Sequence, residues 1–297
     1  MDVSAALLQG QKLLEDASVA VPRLTAEVLL AHAIGCERAW LFAHSDEPLR
    51  EVWWIHYGRY LHERMQGKPT QYITGRQEFY GREFRVTPDV LIPRPETEHV
   101  VEAALARMVN ERDSASVPLS IIDIGTGSGA IALTLALETR SSVIGTDIST
   151  AALRVASENA RRLNAQVDFV ACDLADAIAG GRFDVVVSNP PYVPESDSST
   201  IQREVREHEP AVALYGGTDG FEVYRRLIPE AARLLKPGGW LMMEIGYRSG
   251  EEVASMLGGA SWPLPDGRGS EKRTWREVET IADLAGLPRV MVAKFLG

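Results

Sequence analysis

Along the first 65 or so residues, apolar side chains recur at helical intervals. Leu7, Leu8, Leu13 and Leu14 are expected on one face of a first helix. Leu24, Val28, Leu29 and Ile34 mark a second, closed by Gly35. A third apolar stretch runs through Trp53, Trp54, Ile55, Tyr57, Tyr60, Leu61 and Met65 and stops at Gly67. The pattern predicts a small helical bundle with the aromatic stripe in its core. Gly67-Lys68-Pro69 breaks the helical period, and Glu78 to Val86 then alternates about Gly81 like a hairpin.

From Leu119 onward the period changes, and apolar runs alternate with amphipathic segments. Strands are predicted at Leu119–Ile124, Val143–Asp147, Val167–Ala171, Phe183–Ser188 and Trp240–Ile245, with helices such as Ala130–Glu138 and Thr150–Leu163 between them. Two tail strands, Arg276–Ile281 and Arg289–Lys294, follow a Gly/Pro/Ser-rich stretch from Gly258 to Ser270, which is expected to be a mobile loop. Strand–helix alternation implies an α/β domain with a mostly parallel sheet, seven strands in all. The expected organisation is a helical lobe over 1–75, a hairpin linker over 76–92 and an α/β domain over 93–297.

Composition narrows the function classes. At 297 residues, with 45% hydrophobic and 24% charged, the chain is an ordinary globular sequence, and its net charge of −10 argues against a nucleic-acid partner. Up to Tyr80 there are eight Lys/Arg against ten Asp/Glu, so the helical lobe has no basic arm and no catalytic constellation; it is a candidate recognition lobe. Cys36 and Cys172 lie far apart and the six histidines form no ligand pattern, so neither a disulfide framework nor a metal site is expected. The start of the chain has no secretory pattern, and no run of about 18 apolar residues suggests a membrane span. A cytoplasmic monomer is the expectation.

The first predicted strand runs into Asp123-Ile124-Gly125-Thr126-Gly127-Ser128-Gly129, a glycine-rich turn before a helix. Such a turn lets backbone approach a ligand closely. Asp147 ends the next strand, where a carboxylate can accept from both hydroxyls of a ribose. The spacing is Gly-x-Gly-x-Gly, not the Gly-x-Gly-x-x-Gly that seats a pyrophosphate. The acid Asp123 at the turn suits a cation better than a diphosphate. S-adenosyl-L-methionine, with a ribose, an amine and a sulfonium, matches better than NAD. Asp173 and Leu174 follow the third strand and are expected to flank the adenine, the carboxylate on its amine and the leucine on its face.

Asn189-Pro190-Pro191-Tyr192 follows the buried strand Phe183–Ser188. Two prolines stiffen the loop and remove two N–H donors, leaving the Asn189 side-chain oxygen and the Pro190 carbonyl as acceptors beside an aromatic face. This suits a planar group with an NH₂, either an amide or the exocyclic amine of a base. Arg94, held extended between Pro93 and Pro95, is either a solvated linker residue or a substrate contact at the mouth of the site.

With these motifs in view, the chain resembles the HemK-like protein glutamine methyltransferases, which modify peptide chain release factors. The resemblance rests on Gln71 to Gly75, Leu91 to Glu98, Asp123 to Gly129, Asn189 to Tyr192, and Glu209-Pro210 with Ala213 to Gly220. It implies a class I, Rossmann-like methyltransferase that uses S-adenosyl-L-methionine. It also implies that Gly125 to Gly129, Asp147, Leu174 and Asn189 contact the cofactor, and that Asn189 to Tyr192 hold the glutamine of a Gly-Gly-Gln loop. The stretch from Trp262 to Lys272 looks longer than the family has there. A nucleic-acid amino-methyltransferase would share the loop, but acidic charge disfavours it. An NAD oxidoreductase and a non-catalytic binding module fit less well.

Overall fold

The computed structural model describes residues 1–112, 118–259, 261–263, 270–272 and 275–297. The chain divides into two compact units, Met1–Arg76 with Ile201–His208, and Gln77–Thr200 with Glu209–Gly297.

In the first unit, α1 (Val3–Asp16), α2 (Pro22–Ile34), α3 (Arg38–Ala43), α4 (Glu51–Met65) and α5 (Thr70–Thr74) form the expected bundle. Asp2 starts α1 by accepting from the Ala5 N–H at 2.7 Å, and Gly35 ends α2 in the left-handed region at φ +81°. The buried stripe of α1 is Val3, Ala6, Gly10 and Leu14. It differs from the expected leucine face: Leu8 is 66% exposed and Leu13 is also exposed. Small residues carry this contact. A Cβ at Gly10 would stand 1.9 Å from the Tyr57 hydroxyl, so α1 and α4 meet at closest approach there. In α4, Tyr57 and Leu61 enter the core while Ile55 is 61% exposed.

The second unit begins with a hairpin, β1 (Arg76–Phe79) and β2 (Arg82–Arg85), then a 3₁₀ turn (Pro95–Thr97) and α6 (Glu98–Arg112). The hairpin is an integral part of this unit, where a linker was expected. Phe79 and Phe84 pack edge to face and join a core cluster with Val100 and Ala104. The buried Asn159 side chain accepts from the Arg85 N–H at 2.7 Å and donates to the Arg85 carbonyl at 3.0 Å.

There follow β3 (Ser120–Ile124), α7 (Ala130–Thr139), β4 (Ser142–Asp147), α8 (Thr150–Leu163), β5 (Asp168–Ala171) and β6 (Phe183–Ser188). After them come α9 (Arg203–His208, in the first unit), α10 (Ala211–Leu214), α11 (Glu222–Leu234), β7 (Leu235–Glu244) and α12 (Gly250–Gly259). The short strands β8 (Ser261–Pro263) and β9 (Ser270–Lys272) pair antiparallel, and β10 (Trp275–Ala282) and β11 (Pro288–Phe295) end the chain. The expected mobile loop falls here, and its residues 264–269 lie outside those described.

The main sheet has seven strands in the order β10-β11-β7-β6-β3-β4-β5; β5, β4, β3, β6 and β7 run parallel, while β11 and β10 are antiparallel additions. Both faces are covered, which explains the continuous apolar runs of the strands. Ile121, Val185, Val187 and Met242 face the hairpin, α6, α7 and α8; Ile122, Val186, Leu241 and Met243 face α11 and α12. Strand order reverses between β3 and β6, and this is where a crevice opens at the carboxyl ends of parallel strands. The Ser188 hydroxyl donates to the Ile124 carbonyl at 2.7 Å and ties those two strand ends together.

Candidate functional site

Because β3 and β6 are neighbours, the glycine turn after one and the Asn-Pro-Pro-Tyr loop after the other border the same cleft. It measures about 290 Å³ and is lined by Gly125 to Ser128, Asp147, Ile148, Asp173, Leu174, Asn189, Pro190 and Pro191, among others. Gly125 and Gly127 take φ of +75° and +56°, and a Cβ built on either meets no atom within 4 Å. Their backbone is therefore open to a ligand. Gly129 is not among the lining residues. A Cβ on it would lie 2.9 Å from Leu133 and 3.3 Å from Ala156, so this glycine serves helix packing.

Asp147 closes the turn from β4. Its Oδ2 accepts from the Gly127 N–H at 2.9 Å and its Oδ1 from the Ser149 N–H at 2.8 Å. Each oxygen keeps a further lone pair for a ligand hydroxyl. Burial raises its pKa, and the two backbone N–H groups oppose that shift. Leu174, a residue without β-branching, sits in the left-handed region at φ +51°, and its carbonyl accepts from the Thr146 hydroxyl at 2.6 Å. Strain of this kind persists where surrounding contacts over-determine it, often at ligand sites.

Not every expected residue is free to meet a ligand. Asp123 does not face the cleft: it is 1% exposed, and its Oδ2 accepts from the Thr126 hydroxyl at 2.6 Å and the Ala132 N–H at 3.1 Å. Its charge holds the turn from below and offers nothing to a cation above it. Asp173 does line the cleft, but its Oδ2 is taken by Arg226 Nη2 at 2.6 Å, leaving one oxygen open. Arg94 is not among the lining residues and pairs with Glu209, whose other oxygen accepts from the Ile92 N–H at 3.1 Å. Glu209 is buried, and a buried carboxylate needs such partners.

Asp123 also makes stability depend on pH. Desolvation pushes its carboxyl from 3.8 up to about 7, with the nearby Asp147 charge adding to the effect and the Thr126 and Ala132 hydrogen bonds opposing it. Because the unfolded chain ionises first, the contribution is whole below about 3.8 and is lost as pH rises through about 7. Urea unfolding of the wild type is expected to show stability falling across that window, and Asp123→Asn should flatten the slope. An unaltered slope in that variant would assign the dependence to other groups.

The Asn189 loop is held from several sides. Gly216 accommodates it: a Cβ there would lie 2.7 Å from the Pro191 carbonyl oxygen, and the Gly216 N–H donates to the Val193 carbonyl at 2.9 Å. Asn189 Nδ2 donates to Thr97 Oγ1 at 3.0 Å, the Thr97 hydroxyl donates to Glu244 Oε2 at 2.5 Å, and the Tyr192 hydroxyl donates to Glu244 Oε1 at 3.1 Å. Among the described residues, nothing hydrogen-bonds to Asn189 Oδ1 or to the Pro190 carbonyl. Tyr192 itself does not line the cleft; its phenol turns inward to Glu244, and burial raises its pKa. The sequence reading missed Ile148, Thr97 and Glu244. Glu244 did carry a signal, a lone acid inside the apolar run Leu241 to Ile245.

The family model described as PrmC N-terminal domain matches residues 5–75, and that described as Methyltransferase small domain matches 103–212. The release factor glutamine methyltransferase of Koribacter versatilis is 44% identical over 296 residues, covering 99% of each chain. That of Bacillus subtilis is 41% identical over 273 residues, covering 90% of each. Among solved structures, the hMettl16 catalytic domain in complex with MAT2A 3'UTR hairpin 6 is similar with a TM-score of 0.53 at 15% identity, over 78% of this chain and 81% of that one. The T. thermophilus 16S rRNA N2 G1207 methyltransferase, in complex with AdoMet and guanosine, reaches 0.50 at 19% identity, over 74% and 49%. Identities this low speak for the fold alone. The full-length sequence matches decide the family: this chain belongs to the release factor glutamine methyltransferases.

Proposed function

We propose that this protein transfers a methyl group from S-adenosyl-L-methionine to the side-chain amide nitrogen of a glutamine in peptide chain release factors, the glutamine of the Gly-Gly-Gln loop. The single observation that carries the reading is the polarity of Asn189. One N–H of its amide is given to Thr97, which leaves its oxygen without a partner among the described residues on a side chain that lines the cleft. A free acceptor there is what an incoming NH₂ needs.

The cleft fits the cofactor. Gly125 to Ser128 offer open backbone, Asp147 offers two acceptor oxygens for ribose hydroxyls, and Leu174 and Ile148 supply apolar wall for a base. Of the two aspartates expected to help, Asp173 has one oxygen left for an adenine amine. When bound, the cofactor supplies an electrophilic methyl carbon next to a sulfonium.

An amide nitrogen is a poor nucleophile because its lone pair is delocalised. The chain's own residues therefore act by placement. Asn189 Oδ1 and the Pro190 carbonyl accept the two amide hydrogens and aim the nitrogen along one line. Pro190 and Pro191 lock that geometry before substrate arrives, so little ordering remains for the moment of reaction. Positioning of this kind is worth roughly 7–11 kcal/mol in favourable cases. The Pro-rich wall also excludes water, which strengthens both hydrogen bonds. Tyr192 acts as an anchor of the loop more than as a stacking platform, since its hydroxyl is drawn to Glu244.

The helical lobe is proposed to recognise the release factor; Val52 and Ile55, one turn apart on α4, both present exposed apolar side chains. The net charge of −10 and the lack of a basic arm in the lobe favour a reading without nucleic-acid contact, and the protein is proposed to act as a cytoplasmic monomer. Among the described residues, no helix is long and apolar enough to cross a membrane.

The test is incubation with labelled cofactor and, in separate reactions, release factor, RNA and DNA. One methyl group on a release-factor glutamine by peptide mass spectrometry is the expected result. Label entering only nucleic acid would replace the assignment with an amino-methyltransferase of bases.

A further inference from the structure

A buried acid at the end of β7 has no evident part in the placement of the substrate, yet Glu244 bonds Tyr192 directly and reaches Asn189 through Thr97, the two functional ends of the Asn-Pro-Pro-Tyr loop. It is 3% exposed, on the last residue of β7, and its two oxygens accept from hydroxyls on two different elements. One hydroxyl belongs to Thr97 in the 3₁₀ turn, the other to Tyr192. A carboxylate accepts and cannot donate, so both hydroxyl protons must point at it. Thr97 has a single hydroxyl proton. With that proton given to Glu244, its oxygen can only accept from Asn189, and the Asn189 amide must turn its NH₂ group towards it.

We propose that Thr97 and Glu244 are positioning residues for the methyl transfer: the carboxylate orders the hydroxyl, and the hydroxyl keeps Asn189 Oδ1 facing the cleft. The inference rests on the reading of Asn189 as the acceptor of the substrate amide. Without the chain of bonds, the Asn189 amide is free to rotate by half a turn. It would then present donors to an NH₂ that is itself a donor, and productive binding would be lost.

The groups facing Glu244 define what its protonation would do. Thr97 and Tyr192 hydrogen-bond to it and lower its pKa, Arg289 lowers it by charge, and Glu96 raises it; burial is the largest influence and raises it. Tyr224 donates to the Glu244 backbone carbonyl at 3.0 Å, and Arg94 acts on Tyr192. A proton on Glu244 makes one oxygen a donor and breaks the order of the chain. Single-turnover rates should therefore rise with pH as Glu244 ionises, and this limb should vanish in Glu244→Gln.

The decisive comparison is Thr97→Val against Thr97→Ser, measured on intact protein with saturating cofactor and release factor. Valine keeps the shape and loses the hydroxyl; serine keeps the hydroxyl and leaves a small void. Thr97→Val should slow single-turnover methylation on the order of 100-fold, the scale for loss of one preorganised polar group. Thr97→Ser should stay within about threefold, since its hydrogen bond survives. In parallel, the side-chain ¹⁵N–¹H pair of Asn189, assigned by its absence in Asn189→Ala, should exchange slowly with solvent in the wild type and in Thr97→Ser and rapidly in Thr97→Val. A wild-type rate in Thr97→Val, equal losses in both variants, or Asn189 exchange unchanged by valine would each overturn the proposal. If the wild type methylates no release factor, the functional reading fails, while the exchange measurement still decides the orientation of Asn189.

Discussion

Asn189→Ala is expected to lower the single-turnover rate of release-factor methylation by about 10²–10³-fold, the range for removing a preorganised group aimed at the reacting centre. The effect on cofactor affinity should be far smaller, under about fivefold, because at most one neutral hydrogen bond to the cofactor is lost. The contrast follows from where the side chain points. One N–H of its Nδ2 is given to Thr97, and its Oδ1 has no hydrogen-bond partner among the described residues on a side chain that lines the cleft. Folding should be little affected, since Asn189 is only part-buried and the loop is also held by its two prolines and by backbone bonds between Val193, Leu214 and Gly216. The measurement is a pair of titrations, rate against substrate and binding against cofactor. A variant that binds cofactor normally and still transfers methyl at the wild-type rate would remove Asn189 from the mechanism.

Asp147→Ala should act on the other partner. Hydrogen bonds to a charged group are worth about 1.5–3 kcal/mol each, so losing the acceptor for two ribose hydroxyls should raise the cofactor Kd about 100-fold or more. The loss is compounded locally, because Asp147 also shapes the turn by accepting from the Gly127 N–H. Ligand at about 100 times its Kd stabilises a protein by about 2.7 kcal/mol. In the variant, at the same concentration, most of that gain should disappear. The free variant should itself melt lower, since the Gly127 and Ser149 N–H groups lose their acceptor, so the cofactor-induced shift is read against each variant's own ligand-free melting temperature. Asp147→Asn, which keeps one acceptor oxygen, should fall between. Equal thermal stabilisation of wild type and Asp147→Ala by the cofactor would place the ribose elsewhere.

Between them the two predictions separate the halves of the cleft. In the proposed reading the β3–β4 side takes the cofactor and the β6 side the substrate, and the two sides meet because β3 and β6 neighbour one another. Arg94, by contrast, lies outside the residues lining this cleft. A loop arginine beside two prolines reads as available, but Glu209, 115 residues away, claims it. Nothing local announces that pairing. Asp123 is a similar case. Its position before the glycines suggested a charge offered to the ligand, whereas the fold turns it beneath the turn to meet Thr126 and the first turn of α7.

Chain order and residue type alone determined the strand–helix alternation, the two tail strands, the glycine turn followed by an acid one strand later, and the stiff acceptor loop. Each is local: hydrophobic period, φ restriction and hydrogen-bonding capacity are properties of a few adjacent residues. Tertiary structure alone decided which faces of α1 and α4 are buried, that the hairpin belongs to the α/β unit, and which way Asp123, Arg94 and the Asn189 amide point. Those choices depend on partners distant in sequence, such as Glu244, 147 residues from Thr97. A side chain's orientation is set by whichever donor or acceptor the fold brings within reach, and that partner is absent from any local window of sequence.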